Sequence, residues 1–234
     1  MKPMQAAWRW LRRGLAVLVL LLLAWQGWYL GWVAWWKFVD PSATRFMSLR
    51  LDELREQDPR AELKRQWVPY ARISDHLKRA VIAAEDARFS AHEGFDWEGI
   101  RKALEKNRKQ GRIVAGGSTI SQQLAKNLFL SGAKTPWRKG QEAAITLMLE
   151  ALWDKRRILE VYLNVVEWGE GVFGAEAAAR HYYGIAAARL SAEQAARLAV
   201  LLPNPRKFGR LPDSPYLAAR SRIILGRMGA ARIP

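Results

Sequence analysis

The sequence predicts a mainly α-helical protein with one transmembrane helix at its N-terminus. Three observations carry that expectation. An apolar run from Gly14 to Trp36 has Gln26 as its only strongly polar side chain, downstream segments repeat apolar residues at helical spacing, and few runs alternate as strands do. With 234 residues, an apolar fraction of 50% and a charged fraction of 26%, there is material for the span and one compact domain, and a second enzyme domain does not fit.

Residues 1–13 form a basic tail, with Lys2, Arg9, Arg12 and Arg13 and no acid, so the positive-inside rule places them in the cytoplasm and the rest of the chain outside it. Residues 14–36 would span about 35 Å as a helix, enough to cross a bilayer. A cleaved signal peptide is the competing reading, but the run is longer than a typical h-region and no small-x-small site precedes the Trp cluster. Trp25, Trp28, Trp32, Trp35 and Trp36 crowd its outer half, where indole rings favour headgroups. The formal net charge is +16, of which the tail supplies four, leaving +12 beyond it. Such an excess attracts nucleic acid, anionic lipid or pyrophosphate alike. A domain outside the cytoplasm rarely meets DNA, so nucleic acid is not expected as a partner. Cysteine is absent, which excludes disulfides, thiolate catalysis and Cys-based zinc sites.

Residues 37–64 read as a connector, with prolines at 41 and 59 and at most a short helix near Leu49 to Glu56. The domain occupies 65–234. Ser74 can cap a helix through about Ser90, Trp97 opens another through about Asn107, and Gly111 to Gly117 form a flexible loop. Helical patterns follow over Ile120 to Leu130, Arg138 to Trp153, Lys155 to Asn164, Gly174 to Tyr183 and Ser191 to Leu202. Pro203, Pro205, Pro212 and Pro215 break the chain before a last helix from about Tyr216 to Met228.

Three constellations could carry chemistry. The first runs from Glu85 and Asp86 through Phe89 and His92 to Asp96. Leu77, Val81 and Ala84 mark the apolar stripe of its helix, so Glu85 should sit at the edge of the core, where partial burial raises a carboxyl pKa and suits a proton acceptor. The bland alternative is an acidic pair that caps the helix or pairs with Arg88 and His92. The second is a glycine turn followed by Ser118, Thr119, Ile120, Ser121, Gln122, Gln123, Leu124, Ala125, Lys126 and Asn127, with Thr119 and Gln122 at capping-box spacing. Thr119, Gln122, Gln123 and Lys126 fall opposite the Ile120, Leu124, Leu128 stripe, and a helix N-terminus followed by Lys suits phosphate. An ordinary amphipathic surface helix has the same pattern. The third joins Lys134, Arg138, Lys139 and Glu142, either a second carboxylate flanked by cations or an intrahelical ion pair worth about 0.3–0.5 kcal/mol.

In this order, the stretches EDARFSAHEGFDWEGI, GGSTISQQLAKNLFL, WRKGQEAAITLMLE and KRRILEVYLNVVEWGEGVFGAEAAARHYYG resemble the family 51 peptidoglycan glycosyltransferases. The resemblance covers roughly residues 65 to 210 and, with the anchor and short length, is closest to the family's monofunctional members. Ser121 stands where the family usually has Thr, and Lys134 where it often has Arg, which alone of the two binds phosphate bidentately.

The resemblance implies a lysozyme-like helical glycosyltransferase domain with a membrane-touching hydrophobic jaw. It implies lipid II and the growing lipid-linked glycan strand as substrates, with inversion and release of undecaprenyl pyrophosphate. Glu85 would be the general base on the GlcNAc 4-hydroxyl, and Glu142 would assist the pyrophosphate side. Lys126, Lys134, Arg138 and Lys139 would offset its charge. Asp86, Phe89, His92, Ser118, Thr119, Gln122, Gln123 and Asn127 would hold substrate. A divalent cation, Mg or Mn, at the pyrophosphate fits the family, although the sequence shows no dedicated cage and no other cofactor is expected. Location in a bacterial inner membrane with a periplasmic catalytic domain follows, with membrane lipids and cell-wall synthesis or division proteins as partners. A lysozyme-like peptidoglycan-cleaving enzyme is the nearest rival, but a hydrolase of neutral glycan has no pyrophosphate for the basic residues to neutralise.

Overall fold

A computed structural model describes residues 2–112, 116–133, 135–211 and 214–234. The chain divides into two compact units, Met1–Val39 and Asp40–Pro234. The first is one helix, α1 (Lys2–Trp36), so the basic tail continues the apolar run without a break. Its stretch from Trp10 to Trp36 is long and apolar enough to cross a membrane. Rings four residues apart meet along it, Trp28 and Trp32 edge-on with centroids 5.9 Å apart and Trp32 and Trp36 tilted with centroids 5.1 Å apart.

The second unit is built mostly of helices, and helix accounts for 69% of the chain, so the mainly α class holds. Helix α2 (Arg45–Arg55) starts four residues earlier than expected, because buried Thr44 caps it by accepting from the Met47 N–H at 3.2 Å. Residues of the expected connector thus belong to the compact unit, and α2 packs on α5 (Ile120–Phe129). Helix α3 (Asp75–Glu85) begins at Ser74, whose hydroxyl accepts from His76 N–H and donates to the Leu190 carbonyl at 3.0 Å. It stops five residues short of the expected end. Asp86 leaves helical geometry at φ −159°, and a 3₁₀ turn over Phe89–Ala91 replaces the last turn. Helix α4 (Trp97–Gln110) is capped by Asp96 and ends at Gly111, φ +62°.

Helices α6 (Pro136–Leu152) and α7 (Lys155–Val165) pack against α5. Thr135 and Pro136 open α6 two residues before the expected start, since Pro suits the first helical position. Ile120, Leu124 and Leu128 are buried, as are Ile145 and Leu149 on α6 and Ile158 and Tyr162 on α7. Beyond lie α8 (Ala175–Tyr183), α9 (Ala192–Leu201), the short α10 (Pro205–Gly209) and α11 (Pro215–Arg227). Helix α9 packs on both α3 and α11, and its buried Ala195, Ala196 and Ala199 allow the close approach. A small sheet, not expected from the sequence, joins β1 (Lys64–Arg65), β2 (Glu167–Gly169) and β3 (Val172–Phe173) in the order β1-β3-β2. Strand β3 runs parallel to β1 and antiparallel to β2.

Candidate active site

The first two constellations meet where the C-terminus of α3 faces the start of α5. Glu85, on the last turn of α3, is half-buried and accepts a hydrogen bond from Gln123 Nε2 at 2.8 Å. Among the described residues that is its only hydrogen-bond partner. The expected alternative partners are engaged elsewhere, Arg88 with Glu98 and Asp96, and His92 with Asp86. Packing around Glu85 disfavours its charged form and raises its pKa above the ordinary 4.5, against the opposing pull of Gln123 and the Lys126 ammonium. It combines contact with solvent, a raised affinity for protons and an open lone pair.

Gln123 is itself aimed. Its Oε1 accepts from the Tyr162 hydroxyl at 3.0 Å, and Tyr162 on α7 is fully buried. Burial, then the negative charges of Glu85 and Asp86, push the Tyr162 pKa well above its ordinary value, so the hydroxyl keeps its proton and donates. An ionised Glu85 repels a carbonyl oxygen, so the amide settles with Nε2 toward Glu85 and Oε1 toward Tyr162.

Asp86, expected to hold substrate, is buried and fully engaged. Its Oδ2 accepts from the Ile120 N–H at 3.0 Å, and His92 Nε2 lies 2.9 and 3.1 Å from its two oxygens. The carboxylate therefore occupies the α5 N-terminus where an anion was expected, and its charge complements the helix dipole there. The neighbouring donors are also taken. Thr119 Oγ1 accepts from Gln122 N–H at 3.2 Å, and Gln122 Oε1 accepts from Thr119 N–H at 3.0 Å. Thr119 and Gln122 are thus committed to the cap and buried. Thr119 also donates to the Gly94 carbonyl at 2.7 Å. Gly94 has φ +86°, and a Cβ there would lie 2.8 Å from Thr146 Cγ2 on α6, so only glycine fits.

The expected polar face of α5 is largely inside the protein, because α2, α6 and α7 surround it. Ser121 is fully buried and donates to Glu150 on α6, whose carboxylate Lys155 holds at 2.7 Å. Asn127 is buried. Phe89 is fully buried beneath the Lys155 ammonium, 4.8 Å from its ring, and supports the site from behind. Gln123 and Lys126 remain half-buried.

The third constellation forms the ion cluster its spacing suggests. Glu142 is 3% exposed, with Arg138 Nη1 on Oε2 at 2.5 Å and Lys139 Nζ on Oε1. Lys139 also reaches exposed Ser118, 3.4 Å from its hydroxyl. Glu142 aims two cations and has both oxygens taken, in contrast to Glu85. Lys126 feels all of these groups. Desolvation lowers its pKa from 10.5, Glu142 and Glu85 oppose that shift, and Arg138 and Lys139 add to it. Lys134 lies outside the described residues. Among those described, no three His, Asp or Glu side chains cluster to hold a metal.

Residues 52–229 match the protein family described as Transglycosylase, about three-quarters of the chain. The chain belongs to the transglycosylase family. Two curated relatives are similar over nearly their full lengths. The biosynthetic peptidoglycan transglycosylase of Dechloromonas aromatica (strain RCB) is 65% identical over 97% of this chain and 98% of its own. That of Azoarcus sp. (strain BH72) is 62% identical over 99% and 100%. This transglycosylase is therefore a glycosyl-transferring enzyme. Sequence reasoning missed Tyr162, the Ser121, Glu150 and Lys155 network and the Gly94 carbonyl. Tyr162 sits in an ordinary apolar helical stripe, and only the fold reveals that its hydroxyl meets Gln123.

Proposed function

We propose that this transglycosylase polymerises peptidoglycan strands from lipid II. The 4-hydroxyl oxygen of an incoming lipid II forms a bond to C1 of the lipid-linked chain, from the face opposite the leaving group, so the anomeric centre inverts. The bond from C1 to the pyrophosphate oxygen breaks and its electron pair leaves on the lipid pyrophosphate. The hydroxyl proton passes to Glu85 and from there to water.

The observation that carries the assignment of base and leaving-group sides is the contrast between the two acids. Glu85 has one neutral partner and a raised pKa, so an oxygen is available to take a proton at a useful pH. Glu142 is saturated by Arg138 and Lys139, which makes it a holder of cations. Those cations, with Lys126, suit a developing pyrophosphate charge, and removing one such contact costs about 2–4 kcal/mol of transition-state stabilisation. The same cluster favours transfer over hydrolysis of neutral glycan. A divalent ion carried by the pyrophosphate would be part of the substrate.

The long apolar helix fits a single-pass membrane anchor. In the proposed orientation the basic tail is cytoplasmic and the enzyme works on the periplasmic face of the inner membrane, where a lipid-linked substrate is delivered in the bilayer plane. Incubating the detergent-solubilised full chain with labelled lipid II tests the reading. Polymer that a muramidase digests to disaccharide units supports it, and free disaccharide without polymer overturns it in favour of hydrolysis.

A further inference from the structure

Phe46, on the first turn of α2, lies outside residues 52–229 and was singled out by nothing in the sequence. Its ring is half-buried and fixed edge-on against fully buried Phe173 of β3, centroids 6.4 Å apart at 69°. The Lys126 ammonium lies 6.0 Å from the ring centroid and the Arg50 guanidinium lies 4.9 Å from it. Arg50 is already neutralised by Glu53 at 2.5 Å and Glu167 at 3.2 Å. Lys126 has no carboxylate within ion-pair distance among the described residues, although Glu85 on α3 and Glu142 on α6 draw on it from farther away.

We infer that Phe46 is a positioning residue for the reaction, its ring holding the Lys126 ammonium in place between Glu85 and Glu142. The inference rests on the role given to Lys126 above. A ring quadrupole attracts a cation more strongly where water is scarce, and Lys126 is partly desolvated. The charged groups that act on Lys126 are Glu85 from α3 and Glu142, Arg138 and Lys139 from α6, while Arg50 from α2 shares the Phe46 ring with it. Arg138 and Lys139 repel the ammonium, and Phe46 contributes attraction without adding a charge that would compete for pyrophosphate. The ring thus helps keep Lys126 protonated and ordered while leaving its N–H groups available to substrate.

The test compares pH–rate profiles of lipid II polymerisation by the full chain carrying Phe46→Leu, Phe46→Tyr or Lys126→Met. Leu keeps apolar bulk and removes the π face, whereas Tyr keeps the face. Phe46→Leu should move the alkaline limb of kcat to lower pH by roughly 0.4–1 unit, the equivalent of a lost cation–π contact, and Phe46→Tyr should restore it. An unshifted limb in Phe46→Leu, with Lys126→Met inactive, overturns the inference and leaves the site reading standing. Near-normal activity in Lys126→Met overturns both. A fall in melting temperature without a shifted limb reduces Phe46 to a packing residue and also counts against the inference.

Discussion

Replacing Asp86 by Asn separates the staple found here from the substrate contact that the motif suggested. Asp86 is 6% exposed and acts only as an acceptor, receiving the Ile120 N–H at 3.0 Å and facing His92 Nε2 at 2.9 Å. Asn keeps the shape but has a single acceptor oxygen, so its NH₂ either faces the Ile120 N–H or faces His92 Nε2, which must then change tautomer and leave a buried Nδ1–H without a partner. A buried donor left without a partner costs about 1–3 kcal/mol, and loss of the negative charge from the α5 N-terminus adds about 0.3–1 kcal/mol. For a domain of this size the sum corresponds to a fall in melting temperature of roughly 3–16 °C. Thermal unfolding followed by tryptophan fluorescence, with polymerisation kinetics on the same samples, measures both consequences. The staple predicts a clear loss of stability with KM for lipid II near normal at a temperature where the variant is folded. An unchanged melting temperature with a raised KM would refute it and return Asp86 to the substrate.

Gly94→Ala should cost about 2–5 kcal/mol, from a positive φ and a Cβ 2.8 Å from Thr146, and chemical denaturation would register it. Tyr162→Phe removes the donor that aims Gln123, so kcat should fall several-fold for a stability loss of only about 0.5–1.5 kcal/mol; an unaltered kcat would show that Gln123 needs no orienting partner. The pH–rate profile should be a bell with its acid limb above 4.5, where Glu85 must lose its proton, and its alkaline limb below 10.5, where Lys126 must keep its own. Limbs at the ordinary values would contradict the burial effects described at both residues.

Much of this was legible from local rules. The caps at Ser74 and Thr119 and the buried Ile120, Leu124, Leu128 stripe follow from spacing alone, as does the cluster around Glu142. What local rules could not supply is which polar groups face each other across the fold. Asp86 meets Ile120 and Glu85 meets Gln123 over separations of 34 and 38 residues, and the first pairing staples a carboxylate to the α5 N-terminus. The polar face of α5 was misread for the same reason, since helical periodicity identifies the most apolar side and says nothing of neighbours covering the other. The strands are two or three residues long, too short for alternation to register, so the sheet was invisible.

Glu85→Gln tests the central claim most directly, because a base and a structural acid give opposite results. Glu85 has its pKa raised by folding, so the folded state binds this proton more tightly than the unfolded chain does. The raised pKa therefore favours the fold below the ordinary value of 4.5, and that contribution is lost as pH rises through the folded value. At neutral pH the ionised carboxylate is a net cost that Gln removes. The account predicts a single-turnover rate with lipid II lowered about 10²–10⁴-fold. It also predicts a melting temperature equal to or above that of the parent protein at pH 7, an advantage that shrinks as pH falls through the raised folded value and is gone by about pH 4.5. A Glu85→Gln protein that polymerises at the parent rate with a normal acid limb, or one that loses activity only in proportion to lost fold, would contradict the assignment of Glu85 as the base.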